Sequence, residues 1–281
     1  MKPIILALLI FSFTNLTYAS IDHLEKSAVE QAQNTTNDYG EIVWYNLVTP
    51  NIEESKQFYG SIFDWTFQDI KLKGQKFVII KHKGVSIGSM LELPNADASI
   101  WLASVSVSNV KDIIIKYTDN GGRILIDPFN VSGTGDQVIL EGPLGEKMAY
   151  INNPASPVSF MDNEPNQWIW AELWSDNVDT SEAFYKKVWN IETKASKVQD
   201  RPYWYFEKDN EKVAGMITNP VEGANTQWVP YLNIANIANL NTKLEALEAN
   251  IMLAPQDTDN GSIIIFQDPY GATLCAQNYS N

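Results

Sequence analysis

Residues 169–174 read IWAELW, and they set one carboxyl between two indoles. Side chains alternate along an extended strand, so Trp170, Glu172 and Trp174 share one face. Such a trio can stack a flat apolar molecule, and a carboxyl withdrawn from water there can act as a polar anchor or a general acid/base. Val229, Tyr231 and Asn233 from a later strand, with Thr273, Cys275 and Gln277 from the last one, alternate onto the same set. An earlier stretch repeats the arrangement with Trp44, Asn46 and Val48, where an amide stands in place of the carboxyl. Leu102, Ser104 and Ser106 join this first set, as do Lys147, Ala149 and Ile151. The candidate ligand-binding residues are therefore Trp44, Asn46, Trp170, Glu172, Trp174, Tyr231 and Cys275. Glu172 is the one candidate catalytic group. Each has a structural alternative: the tryptophans as packing, Glu172 as a solvated rim carboxylate, Cys275 as a small buried residue.

Metal chemistry finds few donors. The chain has two histidines and one cysteine, with His23 near the N-terminus and His82 in a lysine-rich hairpin. Catalytic zinc, iron and nickel sites ordinarily include an imidazole, and a triad of two histidines and a carboxylate cannot be gathered from these two. No metal and no other cofactor is expected. Asp176, in SDNVD, suits a helix start better than a calcium ion. A lone cysteine allows no internal disulfide.

The balance of 20 basic and 34 acidic residues gives a formal charge of −14, which disfavours nucleic acid as a partner. Lys2, an apolar run over residues 4–13, and small Thr17 and Ala19 predict a signal peptide at 1–19, cleaved near Ala19/Ser20. Asn15 and Thr17 interrupt that run at about half of the ~20 apolar residues a membrane span needs. A periplasmic or secreted protein without a membrane span after cleavage is expected, with a flexible leader over residues 20–40, which carry no apolar stripe.

The elements that position these residues come twice. Trp44, Leu47, Asn51, Ser55, Phe58 and Tyr59 recur 126 positions later as Trp170, Leu173, Asn177, Ser181, Phe184 and Tyr185. The same offset relates Met90 to Met216 and Gly145 to Gly271, while Trp101 and Trp228 lie one residue out of step. Two homologous domains, 41–152 and 167–278, follow, joined by a Pro- and Asn-rich linker at 153–166. In each, a strand leads to an Asn-capped helix; Asn51 and Glu54 have capping-box spacing, and Ile52, Ser55, Tyr59 and Ile62 form its buried face. Three strands follow, then a further strand and a second helix, with Val110, Ile113, Ile114 and Tyr117 in one copy and Ile237, Leu240, Leu244 and Leu247 in the other. Each domain thus holds two β-α-β-β-β units.

Trp-x-x-Leu-x-Thr/Ser, then Phe-Tyr eleven residues after the Leu, then Asp-Pro-x-Gly before a final strand, resembles the vicinal oxygen chelate superfamily of glyoxalase I, bleomycin resistance proteins and extradiol dioxygenases. Gly142 departs from the pattern by replacing the turn Asp in the first domain. The resemblance implies an α+β fold of tandem glyoxalase-like domains, each a curved mixed sheet with helices on its outer face. In metal-dependent members a His early in the first strand and a Glu four residues after the turn Gly hold a divalent ion. Those positions are Trp44, Trp170, Ala149 and Cys275 here, with Leu102 and Val229 opening the second units, and Cys275 is the one donor among them. The missing ligand set and the aromatic face, with the signal peptide, lead to the expectation of an exported, metal-free protein binding a small apolar or aromatic molecule, as a monomer or a homo-oligomer. Alternatives are a metal-independent lyase or isomerase using Glu172, a metalloenzyme with carboxylate and thiol ligands, or a protein-interaction module. Single-domain relatives pair two chains to shape a cavity, so the tandem is expected to supply that partner within one chain.

Overall fold

The computed structural model describes residues 40–72, 75–131, 135–152, 164–198, 200–258 and 261–278; the signal-peptide and leader readings up to residue 39, and linker residues 153–163, lie outside them. The first module runs β1 (Ile42–Thr49), α1 (Ile52–Ile62), β2 (Trp65–Leu72), β3 (Gln75–His82), β4 (Val85–Glu92), β5 (Ile100–Val107), α2 (Val110–Asp119), β6 (Arg123–Val131), β7 (Gly135–Glu141) and β8 (Lys147–Asn152). The second repeats it as β9 (Trp168–Ser175), α3 (Val178–Trp189), β10 (Glu192–Val198), β11 (Arg201–Lys208), β12 (Glu211–Thr218), β13 (Gln227–Asn233), α4 (Ile237–Ala246), β14 (Asn250–Thr258), β15 (Gly261–Gln267) and β16 (Thr273–Gln277).

Each module is one eight-stranded mixed sheet, ordered β2-β3-β4-β1-β5-β8-β7-β6 and β10-β11-β12-β9-β13-β16-β15-β14. The helical crossover lets β4 return parallel to β1, while β1 and β5 pair antiparallel at the centre and join the two units. All four helices of the described residues begin on an Asn whose side chain accepts a first-turn backbone N–H: Asn51, Asn109, Asn177 and Asn236. Asn51 Nδ2 also donates to Glu54 Oε2 at 3.3 Å, but its backbone N–H goes to Thr49 Oγ1 at 3.4 Å, so the reciprocal backbone bond of the expected capping box is not made.

Helices cover one face of each sheet, and the two helix-bearing faces meet. A single apolar core runs through both modules, taking Tyr45, Leu47, Tyr59 and Trp101 from the first and Trp168, Leu173, Tyr185 and Trp228 from the second. Indole and phenol groups stitch the seam: Tyr45 donates to the Trp170 carbonyl at 3.0 Å, Trp168 to the Ile87 carbonyl at 2.7 Å, and Trp189 to the Tyr150 hydroxyl at 2.7 Å. The faces away from the helices keep separate clusters, Val48, Leu102, Ile139 and Ala149 in one module and Trp174, Val229, Ile265 and Cys275 in the other. The two helix-free faces therefore stay within their own modules and are not joined across the seam. The helix sides carry the larger aromatic surface, so burying them against each other is the dominant apolar gain.

Two buried carboxyls mark the seam. Asp268, in the second module's final turn, accepts from the backbone of Tyr270 and Ala272 at 3.0 and 2.9 Å and from the Tyr59 hydroxyl of the first module at 3.3 Å. At the equivalent turn Gly142 has no side chain, and Glu146 folds back into its place: a Cβ on Gly142 would lie 2.0 Å from Glu146 Oε1. Glu146 Oε2 accepts from the Leu144 backbone at 3.1 Å. Burial raises this carboxyl to about 7, against smaller lowering by backbone N–H groups and the facing Tyr185 hydroxyl of the second module. No helix among the described residues is long and apolar enough to cross a membrane.

Candidate functional site

On the helix-free face of the second module, register places Glu172 beside Gly215 of β12 and Val229 of β13, and Tyr231 beside both Trp170 and Cys275. Glu172 Oε1 accepts from Trp174 Nε1 at 2.9 Å and from the Tyr231 hydroxyl at 2.8 Å. The carboxyl is 5% exposed, and burial raises its pKa more than its hydroxyl and indole donors lower it. The Cys275 thiol, fully buried below, is pushed well above its ordinary value by burial and then by Glu172, so it stays protonated.

Above this floor lies an aromatic ring set. Trp170 Nε1 donates to the Tyr203 hydroxyl at 3.0 Å, Tyr203 packs on Tyr205 with centroids 4.7 Å apart, and Tyr205 meets Trp170 edge-on at 6.3 Å. The Lys212 ammonium sits 3.7 Å over the Tyr205 ring, a cation–π contact. Trp170, Tyr205 and Tyr231 are half-buried and keep ring surface toward solvent. Gly215 is what admits Tyr203: a Cβ there would lie 1.8 Å from the Tyr203 hydroxyl.

The first module builds the matching place differently. Trp44 Nε1 donates to Ser89 Oγ at 3.2 Å, Ser89 donates to Asn46 Oδ1 at 2.5 Å, and Asn46 Nδ2 donates to Ser104 Oγ at 2.8 Å. This is a closed neutral network with no titratable member. By the 126-residue offset, Ser89 corresponds to Gly215 and Asn46 to Glu172. One module supplies its hydroxyl from the strand beside the indole, the other from Tyr203 reaching across a glycine.

The structure brings Trp170, Glu172, Trp174, Tyr231 and Cys275 into one group and leaves Trp44 and Asn46 in the other module's network. Trp174 and Cys275 lie beneath the surface at 1% and 0% exposure. Sequence reasoning missed Tyr203, Tyr205 and Gly215; Gly215 beside Glu172 in the strand alternation was the signal that could have found them. His82 lies at the β3–β4 hairpin, in the lysine-rich stretch where the sequence places it. His82 is 2% exposed, and neither ring nitrogen has a hydrogen-bond partner. Among the described residues no group of three or more His, Cys, Asp or Glu side chains lies together where it could hold a metal ion.

No family model matches the chain. Over 237 residues it is 23% identical to CFP32 of Mycobacterium tuberculosis, a protein named as a glyoxylase, across 82% of this chain and 91% of the relative. It is 21% identical over 253 residues to the anthracycline biosynthesis protein DauV of a Streptomyces species, across 83% and 91%. Among solved structures it superposes on the Mn(II)-bound glyoxalase of Novosphingobium aromaticivorans with a TM-score of 0.59 at 13% identity, covering 86% of this chain and 83% of that one. It superposes on the 2,3-dioxygenase LapB of Pseudomonas sp. KL28 with a TM-score of 0.57 at 14% identity, covering 84% and 90%. Two sheets of this topology in one chain are the tandem form of the vicinal oxygen chelate fold. The chain is a relative of the glyoxalase-named and anthracycline-biosynthesis proteins that it matches over most of their length.

Proposed function

We propose that the chain is an exported, metal-free protein of this fold that binds a small apolar or aromatic molecule on the helix-free face of its second module. The observation that carries the reading is the trio of half-buried rings, Trp170, Tyr205 and Tyr231, set over the desolvated carboxyl of Glu172. Flat rings present a large apolar contact at low entropic cost, and one buried polar group orients what lands on them. A relative named for anthracycline biosynthesis supports an aromatic ligand. Export rests on Lys2 and the apolar run that follows it.

Tryptophan fluorescence titrated with a panel of hydroxylated polycyclic aromatics tests the binding. Saturable quenching is expected, about tenfold weaker in Trp170→Ala, a loss of ~1.4 kcal/mol, and unchanged in Trp44→Ala. Absence of saturation, or indifference to the Trp170 substitution, refutes it. The burial of Glu172 favours a second reading, an enzyme in which this group moves a proton on the bound molecule. Turnover of any panel compound that is lost in Glu172→Gln while binding persists would select it.

A further inference from the structure

We propose a second binding site, for a small monoanionic carboxylate, in the seam between the modules and apart from the aromatic face. A cavity of about 390 Å³ lies there, walled by the end of α1, the β3–β4 hairpin and the first turns of α4. Within its wall is His82, 2% exposed with both ring nitrogens unpartnered. Buried polar atoms almost always have partners, so a sealed imidazole with none points to a group it meets on binding.

The charges around it select the sign of that group. Lys83 and Lys243 line the cavity with a single acid, Asp64, in a chain that is otherwise strongly acidic. Lys83 pairs with Glu164 at 2.6 Å, and Asp64 accepts from Asn166 Nδ2 at 3.3 Å. Lys243 contacts the Ile62 carbonyl at 3.3 Å and forms no ion pair among the described residues. The positive end of α4, capped by Asn236, opens on the same cavity. An imidazole N–H and an ammonium in one pocket are donors for one carboxylate, and Ile62 and Leu240 provide apolar wall for its body. A cation would meet two lysines. A dianion would meet Asp64 with one unpaired lysine to balance it. The volume sits at the small end of ligand pockets, which suits a compact acid.

The full chain carrying His23→Ala leaves His82 as its one imidazole, so ring NMR signals report this site alone. Titration with benzoate is expected to shift them saturably, with benzyl alcohol giving no shift and Lys243→Met weakening the benzoate response about tenfold or more. Three results would each overturn the proposal: no saturable shift with benzoate, a response unchanged in Lys243→Met, or inorganic phosphate binding more tightly than benzoate. Lys243 is half-exposed on α4, so its substitution leaves the core intact; a parallel Lys243→Gln variant checks that loss of charge, not of fold, is read.

Discussion

Glu172 and Asn46 occupy matching places, yet one can carry charge and the other cannot. Burial raises the Glu172 carboxyl, so its folded form holds a proton that the unfolded chain would release. Its contribution to stability is therefore full below the ordinary carboxylate range and is lost as pH rises through the higher folded value. Glu172→Gln is expected to raise the melting temperature at pH 8 and to leave it unchanged at pH 4; a scan of both variants across pH checks the sign. Gly215→Ala is expected to force Tyr203 out of its place, since the new methyl and the hydroxyl cannot coexist at 1.8 Å. The cost expected is ~1–3 kcal/mol in urea denaturation, and it should be smaller in a Tyr203→Ala background but not in Tyr203→Phe, whose ring carbon would still lie 2.6 Å from the new methyl. At this scale the face of each strand residue was legible, because alternation has a period of two. Tyr203 over Gly215 was not, because that contact depends on how β11 and β12 register, and no single strand records it.

Among the elements, the final turns show one requirement met in two ways. Asp268 reaches Tyr59 from the start of its turn; Glu146 reaches toward Tyr185 from the end of the other, through the gap that Gly142 leaves. The sequence displays Gly142 as a departure from the motif, while its compensation four residues away becomes visible when the chain is folded. Because Glu146 titrates near 7 when folded and near 4.5 otherwise, stability falls as pH rises across that window, by on the order of 3 kcal/mol. Glu146→Gln is expected to flatten this slope, measured as unfolding free energy at pH 5 and pH 8. The helices were plain from their caps and their 3.6-residue spacing. Asn177→Ala, removing one cap, should cost about 1 kcal/mol without altering ligand response, which denaturation and fluorescence titration together test.

For the molecule as a whole, the repeat announced two modules but not which faces would meet. Apolar periodicity marks a side as buried without saying against what. The aromatic helix sides joined, so the helix-free faces turned outward and each stayed within its own module. One continuous core predicts one calorimetric transition; two resolved transitions would show the modules to be independent.

The seam's phenol and indole donors are not repeated, since Tyr45, Trp168 and Trp189 correspond by the 126-residue offset to Ala171, Ile42 and Phe63, so each half fits its opposite better than a copy of itself. Severing the chain within residues 153–163 and mixing the fragments should thus yield mixed pairs in preference to like pairs. Duplication followed by such divergence turns a self-complementary surface into a lock that recognises only its sibling.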